Sequence, residues 1–320
     1  MKFLDLAREY SDLNVFTPDT QLTLLRAARL FVNRTGIEHC EEIGRDHVIQ
    51  FKAVTLSRAR PITYNGYLRY LRLIGDYAVD QNLMDKNVFR YAKTAPTGKK
   101  IPKTQSIDSV MAALQHLEAG GYDYEPIWFW QAVIKCLYYT GIRRKQLVNI
   151  EVGDIDFKAS SLKLNYEGSK THREWYIPIH SDLTATLHKL QDELVRVLGR
   201  SLRPTDTLFN LAFLSNRYCR DPRRIDGLRP RAITDFFKRI KRNSGICVSA
   251  HRFRHSLATE LCNPIDGQAD ILSAQVMLGH TSLQTTRVYV QTSVAQIGHS
   301  LNKIPTLNTK LSSEVPPMPI

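Results

Sequence analysis

The 320-residue sequence holds no apolar run approaching the ~20 residues that a membrane-spanning helix needs. Its opening stretch, MKFLDLAREYSDLNVF, carries Asp5, Glu9 and Asp12 among the apolar positions, so no secretory leader is expected. Cysteine is scarce: Cys40, Cys136, Cys219, Cys247 and Cys262 lie far apart, odd in number and without a C-x-x-C pair. That argues against a disulfide framework or a zinc knuckle and for reduced thiols in a cytoplasmic protein. No internal repeat interrupts the chain. Apolar residues make up 43%, which is ample for two domains with real cores.

Acidic residues are also in short supply. Forty-four Lys and Arg face 31 Asp and Glu, a formal charge of +13. Such an excess favours a polyanionic partner, because each phosphate contact releases counterions. Residues 1–90 are nearly balanced, with 13 basic and 11 acidic side chains, so the excess belongs to the remainder. The stretch RYCRDPRRIDGLRPRAITDFFKRIKR (217–242) alone has ten basic and three acidic residues. Charge runs are usually solvated faces. Here Tyr218, Phe236 and Phe237 interleave with the arginines, a pattern that suits a phosphate-facing surface. Arg223, Arg224, Arg229 and Arg231 are the candidate DNA contacts within it.

Apolar spacing predicts a small bundle of four or five helices over residues 1–92. TLLRAARLFV brings Leu24, Leu25, Ala28, Leu30 and Phe31 near one face, and TYNGYLRYLRLIGDYAV does the same with Tyr67, Tyr70, Leu71, Ile74, Tyr77 and Ala78. Pro18 and Pro61 sit at two helix entries. Residues 93–104 form a basic Pro/Gly linker in which Pro96 and Pro102 break any helix. Lys99, Lys100 and Lys103 either follow a phosphate backbone or are plain solvated connectors.

Residues 105–304 read as the larger unit, and 305–320 as a disordered, polar, proline-rich tail. PIWFWQAVIKCLYYTG is a buried helix that starts after Pro126 and stops at Gly141. SLKLNY and REWYIPI are two short strands joined through EGSKTH. Helices return from LTATLHKLQDELVRVL onward and dominate from Pro230. The fold class is therefore mainly α with a small antiparallel β-sheet.

Four segments carry polar residues that their surroundings do not explain. They are YTGIRRKQL with Arg143, the hairpin loop with Lys170, AHRFRHSLATEL with His251 and Arg254, and MLGHTSLQTTRVYV with His280 and Tyr289. Singly each has a bland reading as a surface cation, a solvated lysine or a core tyrosine. His251 and His255 have the i, i+4 spacing of a zinc pair, but Arg252 and Arg254 beside them repel a cation, and no metal or cofactor is expected. Jointly the set is far more specific. Two arginines grip the oxygens of one phosphate, histidines donate hydrogen bonds, a lysine protonates a leaving oxygen and a tyrosine attacks phosphorus. The guanidinium groups then supply the charge that a metal ion supplies elsewhere.

These segments resemble the motifs of the tyrosine recombinases, the phage integrase family. TGIRRKQL is similar to its first arginine box, GSKTHREWYIPI to its hairpin lysine, SAHRFRHSLATEL to its H-x-x-R box and LGHTSLQTTRVYV to its G-H-x8-Y box, in the family's order. The likeness extends over nearly the whole chain, since TYNGYLRYLRLIGDYAVDQNLMDKNVF resembles the end of the family's N-terminal core-binding domain. It implies an N-terminal helical domain that clasps DNA, followed by an α+β catalytic domain. It further implies that Arg143 and Arg254 bind the scissile phosphate, His251 assists as acid or base, His280 donates to the same phosphate and Lys170 protonates the departing 5′ oxygen. Tyr289 would form a 3′-phosphotyrosyl intermediate. Lys163 is a rival for the lysine, but it lies within a strand. The resemblance carries with it a tetramer on specific double-stranded DNA sites, accessory DNA-bending proteins and a nucleoid location in a prokaryote. Gln146 departs from the pattern, standing where the family usually has an acidic residue. Residues 291–304 resemble the segment that packs on a neighbouring subunit, or else form a helix closing their own domain. Two other functions stay open beside recombination: a catalytically weak DNA-binding homologue, and a relaxing enzyme of the type IB topoisomerase kind.

Overall fold

A computed structural model describes residues 1–98, 103–166, 173–210, 228–264 and 270–290. The chain divides into two compact units, Met1–Lys100 and Ile101–Ile320. The first is helical: α1 (Phe3–Leu13), α2 (Pro18–Thr35), α3 (Arg45–Arg58) and α4 (Pro61–Asp80). Thr17 caps α2, and Pro18 and Pro61 occupy first turns, where the missing N–H costs nothing. The core centres on rings, with Phe31 packed 5.0 to 5.6 Å from Phe89, Phe51 and Phe3. The buried stripe of α4 is Tyr64, Leu68, Leu71, Ile74, Gly75 and Ala78. The expected Tyr67, Tyr70 and Tyr77 lie at its half-buried margin instead. Tyr77 shows why: its hydroxyl donates to Glu9 at 2.6 Å, and a phenol keeps its polar end near water.

The second unit contains α5 (Ile107–Ala119), α6 (Ile127–Thr140), α7 (Arg144–Val148), α8 (Ser181–Leu198), α9 (Pro230–Ser244), α10 (Ala250–Cys262), α11 (Ile271–Leu278) and α12 (Leu283–Arg287). A three-stranded antiparallel sheet lies between α7 and α8, with β1 (Ile155–Asp156), β2 (Ser161–Leu164) and β3 (Trp175–Pro178) in that order. Its register pairs Leu162 with Ile177 and Leu164 with Trp175, so alternate residues of β2 enter the core. The strands are shorter than SLKLNY and REWYIPI suggest, and β1 adds a partner absent from the sequence reading.

Helix α6 is the spine of this unit. Eight of its residues, from Phe129 to Thr140, are buried, and it packs on α5, α7, α8 and α10. Trp130 stacks on Phe236 of α9 at 4.1 Å. Phe236 and Phe237 are thus core residues, at 1% and 4% exposure. They do not face a phosphate, contrary to the reading of the 217–242 stretch. The reason is periodicity: Ile233, Phe236, Phe237 and Ile240 share one helix face, and the basic residues of α9 take the other.

Gly141 and Gly279 end α6 and α11 in the left-handed region, at φ 60° each. A Cβ on Gly279 would stand 2.4 Å from the Trp175 ring, and a rigid indole offers no way out. Gly279→Ala should therefore cost about 2–5 kcal/mol of stability, from backbone strain and overpacking together. Denaturant unfolding reads this directly, and an unchanged midpoint would refute the packing.

Candidate active site

Arg254 lies one turn into α10 and is only 5% exposed. A buried guanidinium needs partners, and none of the carboxylates among the described residues pairs with it. Two helix ends serve instead. Nη1 donates to the Gly141 carbonyl at 2.9 Å, and Nη2 to the Leu278 carbonyl at 2.6 Å. These carbonyls close α6 and α11, where unpaired oxygens carry the negative end of the helix dipole. The left-handed glycine turns bring both carbonyls to the same cation. Gly141 also lets α6 approach α10 closely, since a Cβ there would meet Leu257 at 2.8 Å.

Arg143 follows Gly141 by two residues and occupies the N-cap position of α7. Its Nη1 is buried without a hydrogen-bond partner among the described residues. Burial lowers its pKa, while burial and the charge of Arg143 push Arg254 down to about 9. Two guanidinium groups thus lie near enough to repel one another, with no carboxylate ion pair to either among the described residues. Gln146 leaves the guanidinium alone: its Oε1 accepts the Arg143 backbone N–H at 2.9 Å, as a helix-start cap.

His280 follows the Gly279 turn. Its backbone is clamped by Gln275, which accepts its N–H at 3.0 Å and donates to its carbonyl at 3.0 Å. Its ring bridges Arg254 Nη2 at Nε2 (3.1 Å) and Thr286 Oγ1 at Nδ1 (2.9 Å). Burial and the two arginines push its pKa down to about 4, so the ring is neutral at pH 7. His251 opens α10, and its Nε2 lies 2.8 Å from Nε2 of His255. Both rings are held below the ordinary histidine range by burial first, His255 at about 4. The two nitrogens share a hydrogen bond, one ring donating and the other accepting.

Tyr289 closes the arrangement. Its ring is 5.3 Å from that of His255 and 6.4 Å from that of His280, nearly parallel to the latter. It is 7% exposed and packs with Ala258, Cys262, Ala274 and Leu278. Burial raises its pKa, while Arg254 and Arg143 pull the other way.

Five of the six expected residues therefore share one neighbourhood, although they come from four separate elements. Lys170 lies outside the described residues. Lys163, the rival, extends from β2 to Glu174 at 3.0 Å and is engaged in that ion pair. Of the proposed DNA contacts, Lys103, Arg229 and Arg231 are exposed, with Arg231 3.5 Å from Asp235. Lys99, Lys100, Arg223 and Arg224 lie outside the described residues, as do Tyr218, Cys219, the 291–304 segment and the tail.

The chemistry of this cluster is that of a receptor for one tetrahedral anion beside a phenol. The family model described as the phage integrase family matches residues 105–296. The chain belongs to the phage integrase family. This family's enzymes are tyrosine recombinases, which transfer DNA strands, and relatives under that name align along most of the chain. A Pseudomonas syringae sequence bearing the name tyrosine recombinase XerC is 27% identical over 330 positions, 99% of this chain and 67% of that protein. Tyrosine recombinase XerD of Mycobacterium leprae is 28% identical over 285 positions, 85% of this chain and 84% of that one. Among solved structures, a lambda integrase tetramer bound to a Holliday junction shares the fold, with a TM-score of 0.68 at 16% identity over 91% of this chain and 78% of that one.

Three contributors to the cluster were not read from the sequence: the Gly141 carbonyl, the Leu278 carbonyl and Thr286, while His255 was noted only as half of an i, i+4 pair. The glycines in TGIRR and MLGH were the available signal for the carbonyls, because a left-handed helix stop turns its last oxygens toward whatever crosses there.

Proposed function

We propose that this family member is a site-specific DNA recombinase that breaks and rejoins strands through Tyr289. The observation carrying this reading is the buried Arg254, held by two helix-end carbonyls and His280, with Arg143 Nη1 buried without a partner near it, no carboxylate pairing either guanidinium among the described residues, and the Tyr289 ring 6.4 Å from that of His280. Keeping two like charges adjacent costs stability unless an anion joins them, and a phosphodiester fits.

In the proposed reaction the Tyr289 oxygen bonds to phosphorus and its proton passes to His251. Arg143, Arg254 and His280 hold the non-bridging oxygens as negative charge grows on them. The bond to the 5′ oxygen breaks, and Lys170 supplies the proton that makes it a hydroxyl. One ester replaces another, so attack by a different 5′ hydroxyl rejoins the strand without ATP. The ion pair of Lys163 with Glu174 supports Lys170 in that role, since an engaged ammonium is a poorer acid. The lambda integrase tetramer supports assembly as a tetramer on two duplexes, with 291–304 reaching a neighbour. Residues 1–92 would contribute to holding the DNA, joined to the catalytic unit by the 93–104 linker, in a nucleoid location with accessory bending proteins. Integration, excision and resolution of joined molecules would all use the same steps.

The test begins with a randomised pool of nicked duplexes. Sites are recovered as covalent protein–DNA adducts on a denaturing gel. A recombinase yields one enriched sequence and joins two such duplexes. A pure DNA binder yields no adduct, and a type IB relaxing enzyme relaxes plasmids that lack the site. For the bound state, log K should fall linearly with log salt, by about 0.9 for each phosphate engaged. A flat titration between low and physiological salt contradicts a phosphate clamp.

A further inference from the structure

His280 cannot donate to a phosphate from Nε2 in the arrangement described. A guanidinium has no lone pair, so the contact between Arg254 Nη2 and His280 Nε2 at 3.1 Å requires the ring nitrogen to accept. A neutral imidazole that accepts at Nε2 carries its proton on Nδ1. That proton meets Thr286 Oγ1 at 2.9 Å, and the hydroxyl accepts it. The phosphate-binding role needs the opposite tautomer, with the proton on Nε2 and a lone pair on Nδ1. The partner at Nδ1 must then donate.

We infer that Thr286 is a positioning residue whose hydroxyl reverses from acceptor to donor, carrying His280 between a resting tautomer that binds Arg254 and a working tautomer that binds the scissile phosphate. The inference rests on the reading of His280 as a phosphate donor. A hydroxyl is suited to this because it holds one donor and two lone pairs on a rotor. An amide or a carboxylate would fix one direction. Thr286 is fully buried, at 0% exposure, so water does not stand in for it. Its carbonyl accepts the Tyr289 backbone N–H at 2.9 Å. The residue that sets the His280 ring therefore also anchors the backbone of the tyrosine. When an anion arrives, Arg254 Nη2 turns to it and releases Nε2. Nε2, released by Arg254, takes a proton from solvent to give a transient imidazolium; the Nδ1 proton is then lost to solvent as the contact with Thr286 opens, and the hydroxyl turns to donate to the bare Nδ1, so one proton is gained and one is lost.

Three measurements on the full chain test this, with the nicked duplex recovered above as probe. Thr286→Val keeps the shape and removes the hydroxyl. It should slow adduct formation about ten- to a hundredfold, the range an orienting hydrogen bond to a working imidazole carries. Thr286→Ser should stay close to the wild-type rate. In a double-mutant cycle, Thr286→Val should add nothing to His280→Ala, because the hydroxyl acts through the ring. Nitrogen-15 spectra of the free protein, assigned by the signals lost in His280→Ala, should show the proton on Nδ1. In the Tyr289→Phe protein saturated with intact duplex they should show it on Nε2.

Equal losses from Thr286→Val with and without His280 would make Thr286 merely structural and overturn the inference. So would a fast Thr286→Val, or a free protein already protonated at Nε2. Should Thr286→Val not fold, the serine variant and the spectra still decide. A slow His280→Ala beside a fast Thr286→Val sinks the inference alone. A His280→Ala protein as fast as wild type sinks the reading of His280 itself, and the inference with it.

Discussion

Tyr289→Phe is expected to bind its DNA site as tightly as the wild-type protein and to form no covalent adduct. The ring is a core element, 7% exposed among Ala258, Cys262, Ala274 and Leu278, and phenylalanine fills the same space. No hydrogen bond from the phenol holds the fold among the described residues, so stability should not fall. The adduct, by contrast, needs the oxygen as the atom that bonds to phosphorus. Losing a nucleophile from a catalytic set costs about 10,000-fold or more. A denaturing gel of protein with nicked duplex reads the outcome as a shifted band that is present or absent. A retained adduct in the phenylalanine protein would place the nucleophile elsewhere.

Arg143→Ala should separate chemistry from stability and from affinity, and its contrast with Arg254→Ala follows from the two environments. Arg143 Nη1 has no acceptor among the described residues, so its removal strands none of them and relieves repulsion on Arg254. The unfolding midpoint should hold or rise. Arg254→Ala strands the Gly141 and Leu278 carbonyls in a buried site, and about 2–4 kcal/mol of stability should go with them. On rate, Arg143→Ala should slow adduct formation about 100- to 1,000-fold, the loss typical of one donor aimed at developing charge. Binding should weaken far less, because a guanidinium realises most of its value as the phosphorus gains its fifth oxygen. Single-turnover rates and equilibrium titrations at one salt concentration give both numbers. Equal losses in rate and affinity would mean that Arg143 only holds DNA.

Much of the site was legible because the family motifs are local strings. H-x-x-R occupies one turn of α10, and G-H-x8-Y spans α12, so spacing alone puts these residues on known faces. The helix stop at Gly141 was equally readable from glycine after an apolar run. What spacing could not supply was which backbone groups meet across the fold. The pairing of Arg254 with two helix ends depends on how α6, α10 and α11 cross. The aromatics of 217–242 misled for a related reason. Charge density was read along the string, whereas the period of α9 sends Phe236 and Phe237 inward. Gln146 shows the same limit: its identity marked only a departure from the family's acidic residue, whereas the fold shows its oxygen capping the Arg143 backbone.

The central claim is that a single phosphate bridges the arginine pair and Tyr289. Proteolysis of the trapped adduct, followed by mass spectrometry of the nucleotide-bearing peptide, tests it most directly. The expected product is a 3′ nucleotide esterified to Tyr289, with a free 5′ hydroxyl on the other fragment. A nucleotide on any other side chain, or a 5′-linked phosphate, would contradict it.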